Sequence, residues 1–156
     1  MSLITKSLKF IAFDKENTPD IIWNDYYAFH LSIIREFFPG LIEEPLEKLK
    51  KSILESNPYG KEHRWWVYEN IGDSSSGFVG TALIHTARED HPGYEKNKHI
   101  GEIRVNVDKK FRRKGYGTEI LNFLLEQAKK LNLTLFEGYA NNEIANKRKI
   151  GTASIH

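Results

Sequence analysis

The chain has no cysteine in its 156 residues, which excludes disulfides, thiolate metal sites and a cysteine nucleophile together. Its six histidines, His30, His63, His85, His91, His99 and His156, form no H-x-x-x-H pair. The spacing that sets two ligands on one helical face is therefore missing, and no metal site is expected. No apolar run approaches the roughly 20 residues that a membrane span needs. The opening stretch MSLITKSLKFIAFDK lacks the order of a signal peptide, because its apolar part is short and acidic residues follow at once. A cytoplasmic protein is expected. Strong charge of either sign is lacking as well: 23 basic residues face 21 acidic ones, a net charge of +2. That balance does not suggest a coat for nucleic acid. The local cluster KKFRRK has little aromatic interleaving, and the pI of about 8.7 lies below that of a dedicated nucleic-acid binder. With no internal repeat, low-complexity tract or linker, residues 1–156 read as a single domain large enough to bury a core.

What is present is an ordered alternation of patterns. Residues 8–13 (LKFIAF) read as a short strand, and Pro19 with Asp20 opens a helix whose apolar residues Ile22, Tyr26, Phe29, Ile33 and Phe37 recur at helical spacing until Pro39-Gly40. A second amphipathic helix is expected over residues 43–56, with Leu46, Leu49, Ile53 and Leu54 on one side. Residues 63–71 and 78–87 are β-rich and separated by GDSSSG, which predicts neighbouring antiparallel strands. Trp65 and Trp66 cannot share one face of a regular strand, so one of the two is expected to be exposed or at an edge. Residues 88–98 read as an exposed connection. Along residues 100–107, Ile103, Val105 and Val107 alternate with Glu102, Arg104 and Asn106. Residues 118–132 carry the clearest helical stripe, Ile120, Leu121, Leu124, Leu125, Ala128 and Leu131. A strand over 133–140 follows, and a further helix is expected to start with Asn141 or Asn142 as its N-cap. The strand–helix–strand unit at 100–140 should form a right-handed crossover with parallel strands, so the sheet is mixed.

Between that alternating strand and that helix lies DKKFRRKGYG. The first N–H groups of a helix lack intrahelical partners and sit in positive potential. Gly115 and Gly117 remove side chains that would keep an anion off the backbone, and Arg112, Arg113 and Lys114 add charge. A strand, a basic glycine loop and a helix in that order suit a diphosphate. The loop is not a P-loop, which needs Gly-Lys-Ser/Thr where Gly117 is followed directly by Thr118. Nor is it a dinucleotide fingerprint, because GYGTEI lacks the third glycine.

The stretch VNVDKKFRRKGYGTEILNFLLEQA resembles the acetyl-CoA-binding motif of the GNAT superfamily of N-acetyltransferases, Arg/Gln-x-x-Gly-x-Gly/Ala after a strand ending in Val. Here the motif is Arg112, Gly115 and Gly117, with Arg112 five positions after Val107. The order of elements over residues 8–146 is also similar to that family's. The resemblance implies an α/β (α+β) fold with a mixed, mostly antiparallel twisted sheet flanked by helices and containing one splayed parallel pair. It implies acetyl-CoA as acetyl donor and a small-molecule or protein amine as acceptor. Main-chain N–H groups from Arg113 through Lys114, Gly115, Tyr116 and Gly117 to Thr118 would hold the coenzyme diphosphate. Backbone near Val105 and Val107 would pair with the pantetheine arm like an added strand. Asn142 would bind the pantetheine too, or serve only as an N-cap. Tyr27, His30 and Phe38 would face the acceptor.

The resemblance leaves the chemistry open. Some family members carry a catalytic glutamate on the strand before the loop, where this chain has Glu102, but the spacing to the motif differs by about one residue. One residue on a strand reverses the face, so a catalytic base and a salt-bridged glutamate are both readings of Glu102. The family pattern continues with a tyrosine, a Gly-Phe turn and a final strand pair. Here NEIANKRKIGTASIH places Arg148 and Lys149 where an aromatic residue and the tyrosine are expected. The C-terminal strands are therefore expected to be missing, and an uncovered edge strand would favour a homodimer. Two functions follow, an N-acetyltransferase or a coenzyme A-binding module without catalysis.

Overall fold

The computed structural model describes residues 2–55, 60–70, 77–141 and 147–154, the backbone path alone for 138–141 and 147–154. Seven strands form one sheet in sequence order: β1 (Ser2–Ile4), β2 (Leu8–Ala12), β3 (Lys61–Glu69), β4 (Phe78–Thr86), β5 (Ile100–Val107), β6 (Leu135–Asn141) and β7 (Lys147–Ser154). Every neighbouring pair is antiparallel except β5 and β6, which are parallel and joined by the expected helical crossover. The helices are α1 (Asp20–Phe37), α2 (Leu46–Leu54), the single turn α3 (Tyr94–Asn97) within the 88–98 connection, and α4 (Tyr116–Lys130). None of the described helices is long and apolar enough to cross a membrane.

The sheet is covered on both faces, and that explains β3 and β4. Trp65 and Val67 point to the α4 side, where Ile120, Phe123, Leu124 and Ala128 meet them. Trp66 and Tyr68 point to the α1 side and pack with Ile22, Trp23, Phe29 and Phe78. Both tryptophans are buried, Trp65 at 9% and Trp66 at 1% exposure. The expectation that one would be exposed assumed a sheet with one wet face. β4 accordingly reads FVGTALI as an unbroken buried run, the signature of a strand packed on both sides.

Two further differences come from pairing and capping. The C-terminal strands are not missing: β7 pairs antiparallel with β6 from Leu135↔Ser154 to Asn141↔Lys147. A short connection suffices to return an antiparallel strand, with no Gly-Phe turn required. Asn141 closes β6 instead of capping a helix, and residues 147–150 are strand. Asn142 itself lies outside the described residues. The outer edge of β6, on which the expectation of a homodimer rested, carries β7. At the other junction α4 begins at Tyr116, two residues before the apolar stripe announced it, because Gly115 at φ 81° turns the chain into the helix.

Candidate active site

The geometry starts from where β5 and β6 part. The parallel ladder stops at Arg104↔Tyr139, beyond which β5 continues for three residues to Val107 and β6 for two to Asn141. The antiparallel ladder with β4 runs on to Gly80↔Val107. Asp108 then donates its N–H to Val79 O at 2.8 Å. Alternate residues of an antiparallel strand address the same neighbour. Val107 and Val105 therefore turn their N–H and C=O groups away from β4, toward the gap beside β6. Gly80 permits the close approach of β4, since a Cβ there would run into the Asn106 carbonyl oxygen.

The loop after β5 turns back over that gap. Asp108 accepts from Lys110 N and starts a 3-10 turn at Lys109–Phe111, whose Phe111 is buried in the core. Arg113, at φ 65°, and Gly115 then take left-handed backbone. Gly115 has no side chain with which to cap α4, so the first N–H groups of that helix face outward. Val105, Val107, Arg112, Arg113 and Gly117 line one cleft of about 210 Å³ together with Ile33 and Asn106. Five of the residues expected at the coenzyme are thus brought to one place. A Cβ at Gly117 would meet nothing within 4 Å, so the floor there is bare backbone.

Three side chains of the motif are committed elsewhere. Arg112 donates Nε to Val107 O at 3.0 Å and both terminal nitrogens to Glu36 at 2.7 and 2.9 Å. It braces the loop against α1 more than it offers charge to a ligand. The Tyr116 hydroxyl donates to Glu69 Oε2 at 2.7 Å, a bond that together with burial pushes the phenol up to about 12. Lys114 leans toward the same glutamate at 3.9 Å, over the rings of Phe111 and Tyr116. Lys114, Gly115, Tyr116 and Thr118 are not among the residues that line the cleft.

On the other face of β5 is a second cavity of about 310 Å³. α1 supplies Tyr26, Phe29, His30 and Ile33 to its wall, and the sheet supplies Arg64, Thr81, Arg104 and Asn106. Ile33 and Asn106 belong to both spaces, so the cleft and the cavity adjoin. Burial lowers the His30 pKa against the pull of Glu44 and Glu43, which favours the neutral imidazole. Burial raises Tyr26, with Arg64 opposing.

Of the residues expected at the acceptor, only His30 lines this cavity. The Tyr27 hydroxyl instead donates to Glu44 O at 2.9 Å, tying α1 to the segment before α2. Phe38 caps the far end of α1 and is 43% exposed. Tyr26, Arg64, Arg104 and Asn106 were not anticipated at the site. The alternation along residues 100–107 already set Arg104 and Asn106 on one face, but nothing local said that α1 covers it.

Glu102 shares that face with Arg104 and Asn106, and the β4–β5 register has no bulge. The one-residue offset therefore does not turn it from the α1 side. What separates it from the junction is distance: Asn106 lies four residues on, about 13 Å along an extended strand, and Glu102 is not part of the cavity wall. Its Oε1 accepts from Arg104 Nε and Nη2, both at 2.6 Å. His85, on β4, lies between Glu102 at 3.7 Å and Glu62 at 3.2 Å, and Glu62 also accepts from Arg64 at 2.6 Å. Burial opposes ionisation of Glu62, but the hydrogen bonds from His85 and Arg64 outweigh it and hold the carboxyl at about 2.

Residues 26–148 match the acetyltransferase (GNAT) family. No curated protein sequence matches the chain. Among solved structures it is similar to a tandem GNAT protein from the clavulanic acid biosynthesis pathway, at 16% identity and TM-score 0.61 over 85% of this chain. A probable GNAT acetyltransferase from Chromobacterium violaceum is similar at 14% identity and TM-score 0.61 over 88% of this chain. Tetrahymena GCN5 is similar at 15% identity and TM-score 0.53, over 94% of this chain and 96% of that one. The chain spans 36% of the tandem protein and 64% of the Chromobacterium protein. At these identities the likeness to solved structures is one of fold. The family match, which covers most of the chain from α1 into β7, establishes that this protein belongs to the GNAT acetyltransferase family, whose members take acetyl-CoA as donor.

Proposed function

We propose that the chain transfers the acetyl group of acetyl-CoA to a primary amine held in the α1-side cavity. The observation that carries this reading is the shared wall: the glycine-loop cleft and the cavity adjoin at Ile33 and Asn106. The residues present fit the donor. Bare backbone at Gly115 and Gly117 and the open N–H groups of α4 suit a diphosphate, with Arg113 beside them. Backbone of Val105 and Val107 facing the gap suits an extended amide-bearing arm. Bound there, acetyl-CoA supplies a thioester whose carbon exchanges its C–S bond for a C–N bond, the amine's proton ending on the released thiol.

The chain's own residues then have three tasks. The α4 N-terminus and Arg113 hold the anionic end. Arg112, fixed by Glu36, keeps the Val107 carbonyl and the loop in register. His30 is a neutral imidazole on the cavity wall, suited to accept the proton that an ammonium acceptor must shed before it can attack. That role falls to His30 more readily than to Glu102, whose carboxylate is occupied by Arg104.

Calorimetric titration of acetyl-CoA into the wild type and into Gly117→Glu tests the reading, followed by thiol release with a panel of amines. Roughly micromolar binding that weakens more than about tenfold in the folded variant, with thiol release on at least one amine, is expected. A folded wild type that binds no acetyl-CoA overturns the proposal. Binding with no release on any amine reduces it to a coenzyme A-binding module.

A further inference from the structure

The cavity has a charge pattern that its neighbours explain. Arg64 on β3 and Arg104 on β5 flank Leu83 in one cross-strand row, Arg64↔Leu83↔Arg104. Two strands apart, their Cα atoms are about 10 Å from each other. Unbalanced cations so placed would repel, and each is balanced two residues back on its own strand, where period-two geometry returns the same face: Arg64 by Glu62, Arg104 by Glu102. His85 lies between the two glutamates. The carboxylates thus sit behind the arginines, and the guanidinium groups front the cavity. Among the described residues its wall holds two arginines and no carboxylate.

The donors left over point to the ligand. Arg104 spends Nε and Nη2 on Glu102, which leaves Nη1. Arg64 spends Nε on Glu62, also hydrogen-bonds the Tyr26 side chain, and lies over the rings of Trp66 and Tyr26, only 10% of its side chain exposed. These contacts hold it in place. Buried Thr81, joined to Asn106 by a 3.4 Å contact, adds a hydroxyl. Charged N–H donors on a rigid frame suit an oxyanion. Because Glu62 and Glu102 already neutralise the pair, little net charge remains to hold a dianion such as a phosphate, whereas a monoanion on a zwitterion is matched. A polyamine would find no carboxylate on this wall. The volume of about 310 Å³ lies at the small end of ligand sites and suits a molecule of amino-acid size.

Resting on the acetyl-transfer reading, we infer that the acceptor is a small amino-carboxylate, an amino acid or close relative, whose carboxylate is bound by Arg64 and Arg104 and whose amine reaches the junction at Ile33 and Asn106. The arginines are specificity residues: they hold the end of the acceptor that does not react. Neutral His30 on the same wall leaves the carboxylate no competing cation and the amine a proton acceptor.

Thiol release from acetyl-CoA is measured with matched acceptors: free amino acids, their carboxamides, the corresponding decarboxylated amines, and phosphoethanolamine as the phosphate arm. Direct binding of the same amino acids is followed by saturation-transfer NMR without acetyl-CoA. The expected result is a kcat/KM at least about a hundredfold higher for some amino acid than for its carboxamide or decarboxylated partner, scaling as one lost charged contact of the stronger kind. Arg104→Met should erase that preference through KM and abolish the NMR signal, with acetyl-CoA affinity unchanged. Arg104→Lys should restore part of it. Equal or better turnover of the carboxamides, the decarboxylated amines or phosphoethanolamine overturns the inference while the transfer reading stands. So does an Arg104→Met variant that lowers kcat alike on every acceptor, which would make the arginine merely structural. No thiol release from any amine overturns both.

Discussion

At the scale of single residues, the site depends on side chains whose charge is already spoken for. Arg112 carries the motif's only side chain other than hydrogen, yet its guanidinium forks onto Glu36 and its Nε holds Val107 O. With 35% and 24% of the two side chains exposed, the pair is better shielded than a surface ion pair. A double-mutant cycle of Arg112→Lys and Glu36→Gln, read by urea unfolding, should give a coupling of about 1–2 kcal/mol. Arg112→Lys should also weaken acetyl-CoA. A coupling near zero would show the fork to be idle. Glu62 provides the pH test. Its folded pKa is depressed from 4.5 to about 2, so its contribution is present above the unfolded value and lost as pH falls through the folded one. With 31% of the side chain exposed, that contribution is on the order of 2 kcal/mol after screening. The stability gap between wild type and Glu62→Gln should therefore be wide at pH 6 and shrink toward pH 2; a gap independent of pH would remove the assignment.

At the scale of elements, the site is a divergence of two parallel strands. Beyond Arg104↔Tyr139, β5 runs on to Val107 and β6 to Asn141 without pairing, and the glycine loop follows directly after β5. Gly80 maintains this from outside, because it lets β4 lie against the Asn106 carbonyl. Gly80→Ala should cost about 2–4 kcal/mol and weaken acetyl-CoA binding, although residue 80 is not part of the cleft wall. Gly117→Ala, whose Cβ meets nothing, is the control and should change stability by less than about 1 kcal/mol. Chemical denaturation and calorimetry on both variants measure this, and a Gly80→Ala protein with normal stability would contradict the contact. Legibility differs in the same way. The α4 stripe and the β5 alternation could be read directly, since each element writes its buried face into its own period. The burial of both Trp65 and Trp66 could not, because it takes helices on both faces of the sheet. Nor could β7, whose residues carry charges and a glycine and gain their strand from the edge of β6.

At the scale of the molecule, ligand binding and stability are one equilibrium. Acetyl-CoA at about a hundred times its Kd should add about 2.7 kcal/mol, which for a chain of this size raises Tm by roughly 5–10 °C. Gly117→Glu should keep the unliganded Tm and lose the shift. Differential scanning fluorimetry reads both, and an equal shift in the variant would place the coenzyme elsewhere.

The sequence by itself determined the order of the main elements from β2 to β6, the strand–loop–helix at residues 100–130 and the glycines at 115 and 117, because periodicity and glycine act locally. The tertiary structure alone decided that Arg112 is a brace to Glu36, 76 residues away, that α1 closes the far face of β5 over Arg64 and Arg104, and that two spaces meet at Ile33 and Asn106. Those outcomes are set by which distant segments share a wall, and a shared wall leaves no period in either segment's sequence.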